Sequence, residues 1–239
     1  MAIAAAIQNR YGIRAVPHII SRGFSKEETE YALIDLSFLG VTDLLLLRGD
    51  TRKLDADQLK MDSHLYATGL QEQVNNFNQG IAFDGSTFTP PEVPFSYGMA
   101  CYPEKHEESP NMEAELFYTK MKVDQGADYL VTQMFFDNSK YFAFVDRCRA
   151  AGITVPIIPG IKVLKSATQL VSVPKNFYID FPDQLVEEVT KDPKNVAAIG
   201  KEWATRQVED LLNKGAPCVH FYIMNDTGTI VDIVKKFQK

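Results

Sequence analysis

The sequence predicts an α/β protein of the TIM-type (β/α) barrel class, and three observations support this fold. Short apolar segments alternate with longer amphipathic segments, as expected for strands and helices around a parallel sheet. Several predicted helices end on a glycine, and a new apolar segment begins within a few residues of each. The length of 239 residues and the 45% hydrophobic content suit one barrel domain over 1–239.

Six segments have the short apolar character of buried strands. The predicted strands are 14–20, 43–48, 97–102, 129–133, 155–159 and 218–223. Helical spacing of apolar residues predicts the helices 2–11, 25–39, 64–77, 112–125, 139–151 and 196–214. The helix that begins at Ser25 has Glu28 three residues later, which predicts a capping box.

The segment 79–96 contains several glycines and prolines and predicts a long surface excursion rather than a domain boundary. A complete barrel of this class has eight strands in about 250 residues. Because the sequence opens on a predicted helix, we expect an incomplete barrel with strands 3 to 8 present and the N-terminal strands absent. An open six-stranded α/β sheet is the alternative.

Composition excludes several classes of protein. The net charge of −6 arises from acidic residues scattered among lysines, so a nucleic-acid partner is not expected. No apolar run approaches the roughly 20 residues of a membrane span, and the start lacks a basic leader. The three cysteines are widely spaced, which argues against a disulfide framework or a metal site. We therefore expect a soluble cytoplasmic protein without a structural metal.

Polar residues at the carboxyl ends of barrel strands face the active-site mouth. Arg48, Gly49 and Asp50 follow a run of four leucines, so these charges are expected to face a cleft or ligand, or to form a salt bridge in the loop. The histidines at strand ends, His18 among them, are either packed or functional, whereas His64 has no functional context.

Two further strand ends carry groups that suit a planar ligand. Tyr102 can offer a flat face and a hydroxyl, and His106 can serve as an acid or a hydrogen-bond donor. Gln133 is an amide beside Phe135 and Phe136, an arrangement that fits a pterin or nicotinamide, or else a simple capping contact beside core aromatics. An aldolase-type barrel is disfavoured because no Schiff-base lysine is predicted at a strand end.

A set of short segments occurs here in the order found in one family of reductases. The segments are His18, 47–50, 66–67, 100–106, 122–124, 132–137 and 156–161. Together they resemble the methylenetetrahydrofolate reductase family in its single-domain bacterial form, over nearly the whole chain. The resemblance implies a TIM barrel that holds FAD without a covalent link. It also implies self-association and a role in one-carbon metabolism.

The implied reaction is a ping-pong reduction of 5,10-methylenetetrahydrofolate to 5-methyltetrahydrofolate. NADH or NADPH passes a hydride to FAD and leaves, and the folate then takes the hydride in the same pocket. The resemblance assigns catalytic roles to Asp50, whose charge tunes the flavin, and to Gln133, which contacts the folate or nicotinamide. The residues implied to hold FAD are His18, Leu47, Arg48, Gly49, Asp50, Tyr66, Ala67, Ala100, Tyr102, His106 and Lys122.

The chain departs from the family pattern at three places, one of which is the segment 164–173, where the phenylalanine that covers the substrate in some relatives is absent. Glu115, Tyr118 and Met121 stand where better-known bacterial members carry Asp, Asn and Arg. In the family a glutamate on the first strand acts as general acid toward the folate nitrogen, and we expect that strand to precede the start of this sequence. A truncated or degenerate barrel that binds flavin or is inactive is the alternative function.

Overall fold

The structure is a computed structural model that describes residues 1–49, 62–224 and 227–238. Each described strand is followed by at least one helix, in the repeating pattern that the sequence predicted. In chain order the elements are α1 (Ala2–Tyr11), β1 (His18–Ile20), α2 (Lys26–Phe38), β2 (Asp43–Leu47), α3 (Ala67–Asn78), β3 (Ser96–Cys101), α4 (Met112–Asp124), β4 (Tyr129–Met134), α5 (Asn138–Ala150), β5 (Ile157–Ile161), α6 (Gln169–Phe177), α7 (Asp183–Lys191), α8 (Val196–Asn213), β6 (His220–Phe221) and α9 (Gly228–Val234).

The chain divides into two compact units. Unit 1 comprises Met1–Ala100 and Met121–Tyr129, and unit 2 comprises Cys101–Lys120 and Leu130–Lys239. In unit 1, β2 pairs in parallel with β1 on one side and β3 on the other. In unit 2, β5 pairs in parallel with β4 and β6. In both units the strand order follows the chain order.

These six parallel strands and their helices form an α/β fold of the incomplete TIM-barrel type, as predicted. A doubly wound sheet reverses its strand order at a switch point, and neither unit contains such a reversal. None of the helices in the described part of the chain combines the length and apolar character needed to cross a membrane.

The strand bounds differ from the predicted ones by two or more residues at three strands, and by one residue at β2, β3 and β4. β1 begins at His18 and β6 contains only His220 and Phe221, so both are shorter than their apolar runs. β5 begins and ends two residues later than predicted, with Pro159 and Gly160 inside it. These strand ends differ from the predicted ones because hydrogen bonds to the neighbouring strand determine where each strand begins and ends. The backbone N–H of Tyr222 donates to Ile161, which continues the pairing beyond the predicted end of β5.

Three helices, α6, α7 and α9, were not predicted. The first two are nine residues each. Pro174 interrupts the helical pattern inside α6, and Pro182 directly precedes α7. Packing stabilises them, because Val173 of α6 and Leu185 and Val189 of α7 belong to one buried cluster with Phe136 and Leu164. Tertiary packing therefore overrides a weak local preference for helix.

The excursion at 79–96 is a small packed hairpin in unit 1. Ile81 and Thr87 form an antiparallel bridge. The ring of Phe77 at the end of α3 lies 5.1 Å from Phe88 and 5.6 Å from Phe95. The segment is thus an insertion without a helix, as predicted, and its aromatic contacts attach it to α3.

Candidate functional site

In unit 1, the residues after β1 hold the residues after β2. The backbone N–H of Ser21 donates to Leu47 at 2.8 Å, and its hydroxyl donates to the Arg48 carbonyl at 3.1 Å. Gly49 has a φ of +85°, in the left-handed region that favours glycine. Leu47, Arg48 and Gly49 therefore leave the sheet along a fixed path, with Arg48 half-buried at the carboxyl end of β2.

Tyr66 and Ala67 lie at the start of α3. Tyr66 precedes the helix as its N-cap residue, is 53% exposed, and makes no capping hydrogen bond through its side chain. The first backbone N–H groups of a helix favour negative charge, so this end suits an anionic ligand group. The Nε of Arg22 donates to the Leu65 carbonyl at 3.0 Å, which ties the end of β1 to the start of this helix.

Two other predicted residues of unit 1 meet at the end of β3. The ammonium group of Lys122, on α4, donates to the carbonyl oxygen of Ala100 at 2.8 Å. Ala100 is the second-to-last residue of β3. A cation therefore lies at the carboxyl end of this strand.

His18 does not lie at the carboxyl end of its strand, contrary to the prediction. It is the first residue of β1 and is level with Leu45, whereas Ile20, level with Leu47, ends the strand. The His18 side chain is exposed, and desolvation by the surrounding protein lowers the pKa of its imidazole. Asp50, a residue of central importance in the predicted site, lies outside the described residues.

In unit 2, Tyr102 and His106 form an aromatic pair directly after β3. Their ring centroids are 4.7 Å apart with an interplanar angle of 78°, an edge-to-face arrangement. The carboxylate of Glu115, only 2% exposed, accepts hydrogen bonds from the His106 backbone N–H at 3.0 Å and the Ser109 hydroxyl at 2.8 Å. Glu115 thus fixes the loop that carries the pair.

The same loop contains a backbone conformation that is uncommon outside glycine. Lys105 has a φ of +67°, and its ammonium group donates to the Ser109 carbonyl at 3.0 Å. The Nδ1 atom of His106 accepts from the Glu108 backbone N–H at 3.1 Å. In the neutral imidazole the proton is therefore on Nε2, so His106 is a hydrogen-bond donor through that atom.

Glu104 anchors this loop to two other segments of unit 2. Its carboxylate lies 2.5 Å from the Lys140 ammonium and accepts from the Asp180 backbone N–H at 3.0 Å. The Glu104 side chain is 8% exposed, and burial raises its pKa in spite of the ion pair. The loop is consequently held at both Glu104 and His106.

Gln133 lies on β4, half-buried, one residue before the strand ends. Its amide oxygen accepts from the Met134 backbone N–H at 3.0 Å, and its amide nitrogen has no hydrogen-bond partner among the described residues. The group that Gln133 can offer a ligand is therefore its N–H₂ donor. Phe135 and Phe136 are at most 1% exposed, so they are core residues and do not provide the aromatic surface that the sequence indicated.

Sequence reasoning missed two positioning networks. Glu115 appeared only as a departure from a family pattern. His64 seemed to have no functional context, yet its Nε2 lies 2.6 Å from Oε1 of Gln73, whose amide nitrogen donates to Glu30 at 3.1 Å. The available signal was the presence of polar residues, Gln73 among them, between the buried apolar residues Leu70 and Val74 of α3.

Comparison with known proteins gives a consistent result. A "Probable methylenetetrahydrofolate reductase (NADPH)" of Caenorhabditis elegans is 29% identical over 98% of this chain, which spans 34% of that protein. The 5,10-methylenetetrahydrofolate reductase of Escherichia coli is 30% identical over 93% of this chain, which spans 70% of that protein. The chain thus spans about a third of the nematode relative's length.

Similarity to a solved structure supports the fold. An uncharacterized Clostridium thermocellum protein that binds two copies of 5-methyl-5,6,7,8-tetrahydrofolic acid has a TM-score of 0.54 and 14% identity, covering 96% of this chain and 75% of the other. At that identity the similarity shows the fold alone. The methylenetetrahydrofolate reductase family model matches residues 1–238, and the chain belongs to this family.

Proposed function

We propose that this chain is the catalytic domain of a reductase that converts 5,10-methylenetetrahydrofolate to 5-methyltetrahydrofolate, using FAD and NADH or NADPH. The observation that carries the proposal is the family match over residues 1–238. The positions of the matching residues support it, because Arg48, Gly49 and Tyr102 directly follow strands and Gln133 lies one residue before a strand end. This is where parallel α/β folds bind substrates.

The residues of unit 1 fit a dinucleotide cofactor. Arg48 and Lys122 are cations at the ends of β2 and β3, and the start of α3 adds backbone N–H donors. Both features suit a diphosphate. Gly49 allows close approach because it has no side chain. The chemistry that FAD would supply when bound there is hydride transfer between the nicotinamide and the folate.

The chain's own residues would bind and orient the reactants. Arg48 and Lys122 would hold the diphosphate, and the edge-to-face pair Tyr102 and His106 would present a hydroxyl and an Nε2–H donor. Gln133 would donate its amide N–H to a carbonyl of the folate or the nicotinamide. The remaining residues that we assign to FAD binding are His18, Leu47, Gly49, Asp50, Tyr66, Ala67 and Ala100. For Asp50 the assignment depends on the family resemblance alone.

One experiment tests the proposal. The purified protein, supplied with FAD, should show a bound-flavin absorption band that bleaches anaerobically with NADH or NADPH and returns when 5,10-methylenetetrahydrofolate is added. Formation of 5-methyltetrahydrofolate in that second step would establish the reaction. A bound flavin that bleaches without folate turnover would indicate a degenerate flavin-binding barrel, and failure to bind FAD would reject the proposal.

A further inference from the structure

Lys162 is a strand-end cation that the sequence analysis did not identify. Because β5 extends to Ile161 instead of ending at Pro159, Lys162 is the first residue after the strand. Its side chain is half-buried, and it makes no hydrogen bond or ion pair within residues 1–49, 62–224 and 227–238. A charged group without a partner at this position needs an explanation.

The neighbouring strands indicate which face of the sheet Lys162 occupies. Gly160 is level with His220 of β6, and the Tyr222 backbone N–H donates to the Ile161 carbonyl at 2.9 Å, so the pairing continues to the end of β5. Side chains alternate along a strand, which places Lys162 on the face of Gly160. The ring of Tyr222 lies on that same face, 2.6 Å from where a Cβ of Gly160 would stand.

The electrostatic surroundings of Lys162 favour an added anion. Burial lowers the pKa of its ammonium group, and the positive charge of nearby Lys165 lowers it further. No carboxylate contributes to this shift. A half-buried ammonium next to a second cation is destabilised until a negative group binds beside it. A titratable group with a perturbed pKa at a strand end is a candidate functional group.

We propose that Lys162 binds an anionic oxygen group of a substrate, either a phosphate of the reduced nicotinamide dinucleotide or a carboxylate of the folate glutamate. Both groups share the chemistry that an ammonium recognises as a point charge. Within the proposed reaction, on which this inference rests, Lys162 is a specificity-determining residue that holds the substrate by a part remote from the reacting atoms.

Steady-state kinetics test the inference. Lys162→Met keeps the length of the side chain and removes the charge, so we expect KM for at least one substrate to rise by about tenfold, equivalent to about 1.4 kcal/mol. The value of kcat should change little, and Lys162→Arg should restore part of the loss. The matched control is Lys191→Met, because Lys191 is 76% exposed on α7 and pairs with Glu187.

The substrates distinguish the source of the anion. A rise in KM for NADPH alone indicates its 2′-phosphate, and a rise for both dinucleotides indicates the diphosphate. A rise for the folate that grows with the number of glutamates indicates a carboxylate. Unchanged KM values for every substrate in Lys162→Met would overturn the inference while leaving the proposed reductase activity intact.

A second measurement does not require turnover. Amine-selective labelling of the wild-type protein, read by peptide mass, should modify Lys162, and inorganic pyrophosphate, NADPH or 5-methyltetrahydrofolate triglutamate should protect it. Labelling of Lys191 should be unaffected. If the protein has no reductase activity, the proposed function fails, and protection by these probes still decides whether Lys162 binds anions. Absence of protection by all three would reject the site.

Discussion

The hydroxyl of Tyr222 donates a hydrogen bond of 2.8 Å to the backbone carbonyl of Thr132. The two residues belong to different segments of unit 2, after β6 and on β4. The ring of Tyr222 lies where a side chain at Gly160 of β5 would stand. Burial raises the pKa of the Tyr222 hydroxyl, which keeps it protonated as a donor. A tyrosine laid across a glycine therefore links the three strands of this unit.

Unit 1 contains the same arrangement. The hydroxyl of Tyr129 donates to the Leu44 carbonyl at 2.9 Å, and a Cβ at Gly98 would stand 2.1 Å from the tyrosine ring. Burial raises the pKa of Tyr129 to about 12. In both units a strand glycine is needed because an aromatic ring occupies the space of its side chain.

Gly160→Ala should therefore destabilise the protein more than loss of the hydrogen bond alone. The new methyl group would stand 2.4 Å from the Thr132 carbonyl oxygen as well as against the Tyr222 ring. We expect a loss of about 1–3 kcal/mol in the free energy of unfolding. Tyr222→Phe, which keeps the ring, should cost about 0.5–1.5 kcal/mol. Urea denaturation measures both, and a neutral Gly160→Ala would contradict the packing argument.

Glu115→Gln should loosen the loop that carries Tyr102 and His106. The glutamine would replace a buried carboxylate that accepts three hydrogen bonds by a neutral amide, and charge-assisted bonds are about twice as strong as neutral ones. We expect weaker FAD binding, measured by fluorescence titration, together with faster amide exchange at residues 106–109. Glu113→Gln, at an exposed position of the same helix, is the control and should leave both measurements unchanged.

Gln133→Glu should impair binding of the substrate that accepts its amide N–H. The Met134 N–H already occupies the amide oxygen, so the substitution replaces the donor by a carboxylate oxygen that repels a carbonyl. Loss of one such contact should raise KM or lower kcat by about tenfold or more in the affected half-reaction. Stopped-flow measurement of each half-reaction identifies which substrate Gln133 contacts. Gln184→Glu, on the exposed surface of α7, should have no effect.

Because of Lys162, the free energy of unfolding should increase with pH in the alkaline range. Its folded-state pKa is lowered from 10.5, so between that lowered value and 10.5 the unfolded chain binds more protons than the folded chain. The free energy of unfolding then rises with pH across this window. Lys162→Met removes the charge, so the variant should have a higher free energy of unfolding than the wild type near neutral pH. This difference should shrink as the pH rises toward 10.5. A pH-independent difference would contradict the lowered pKa.

The sequence predicted the α/β class, the six strands and the ordered residues of one family, because the alternation of apolar segments and the polar residues at strand ends are local features. It also predicted the capping box of Ser25 and Glu28, in which the side chain of each residue accepts a hydrogen bond from the backbone N–H of the other. It could not predict the network of His64 and Gln73 or the contacts of Glu115. Those pairs are brought together only when helices and loops pack.

By itself, the sequence determined which segments become the six strands and the helices α1 to α5 and α8, since apolar spacing and capping residues act over a few neighbouring residues. The tertiary structure decided where the strands end and what each polar side chain contacts. Hydrogen bonds from a neighbouring strand extend β5 past Pro159, which makes Lys162 a strand-end residue. The register of β1 places His18 at the opening of its strand. Such ends depend on the partner strand, because backbone groups pair across the sheet and not along the chain.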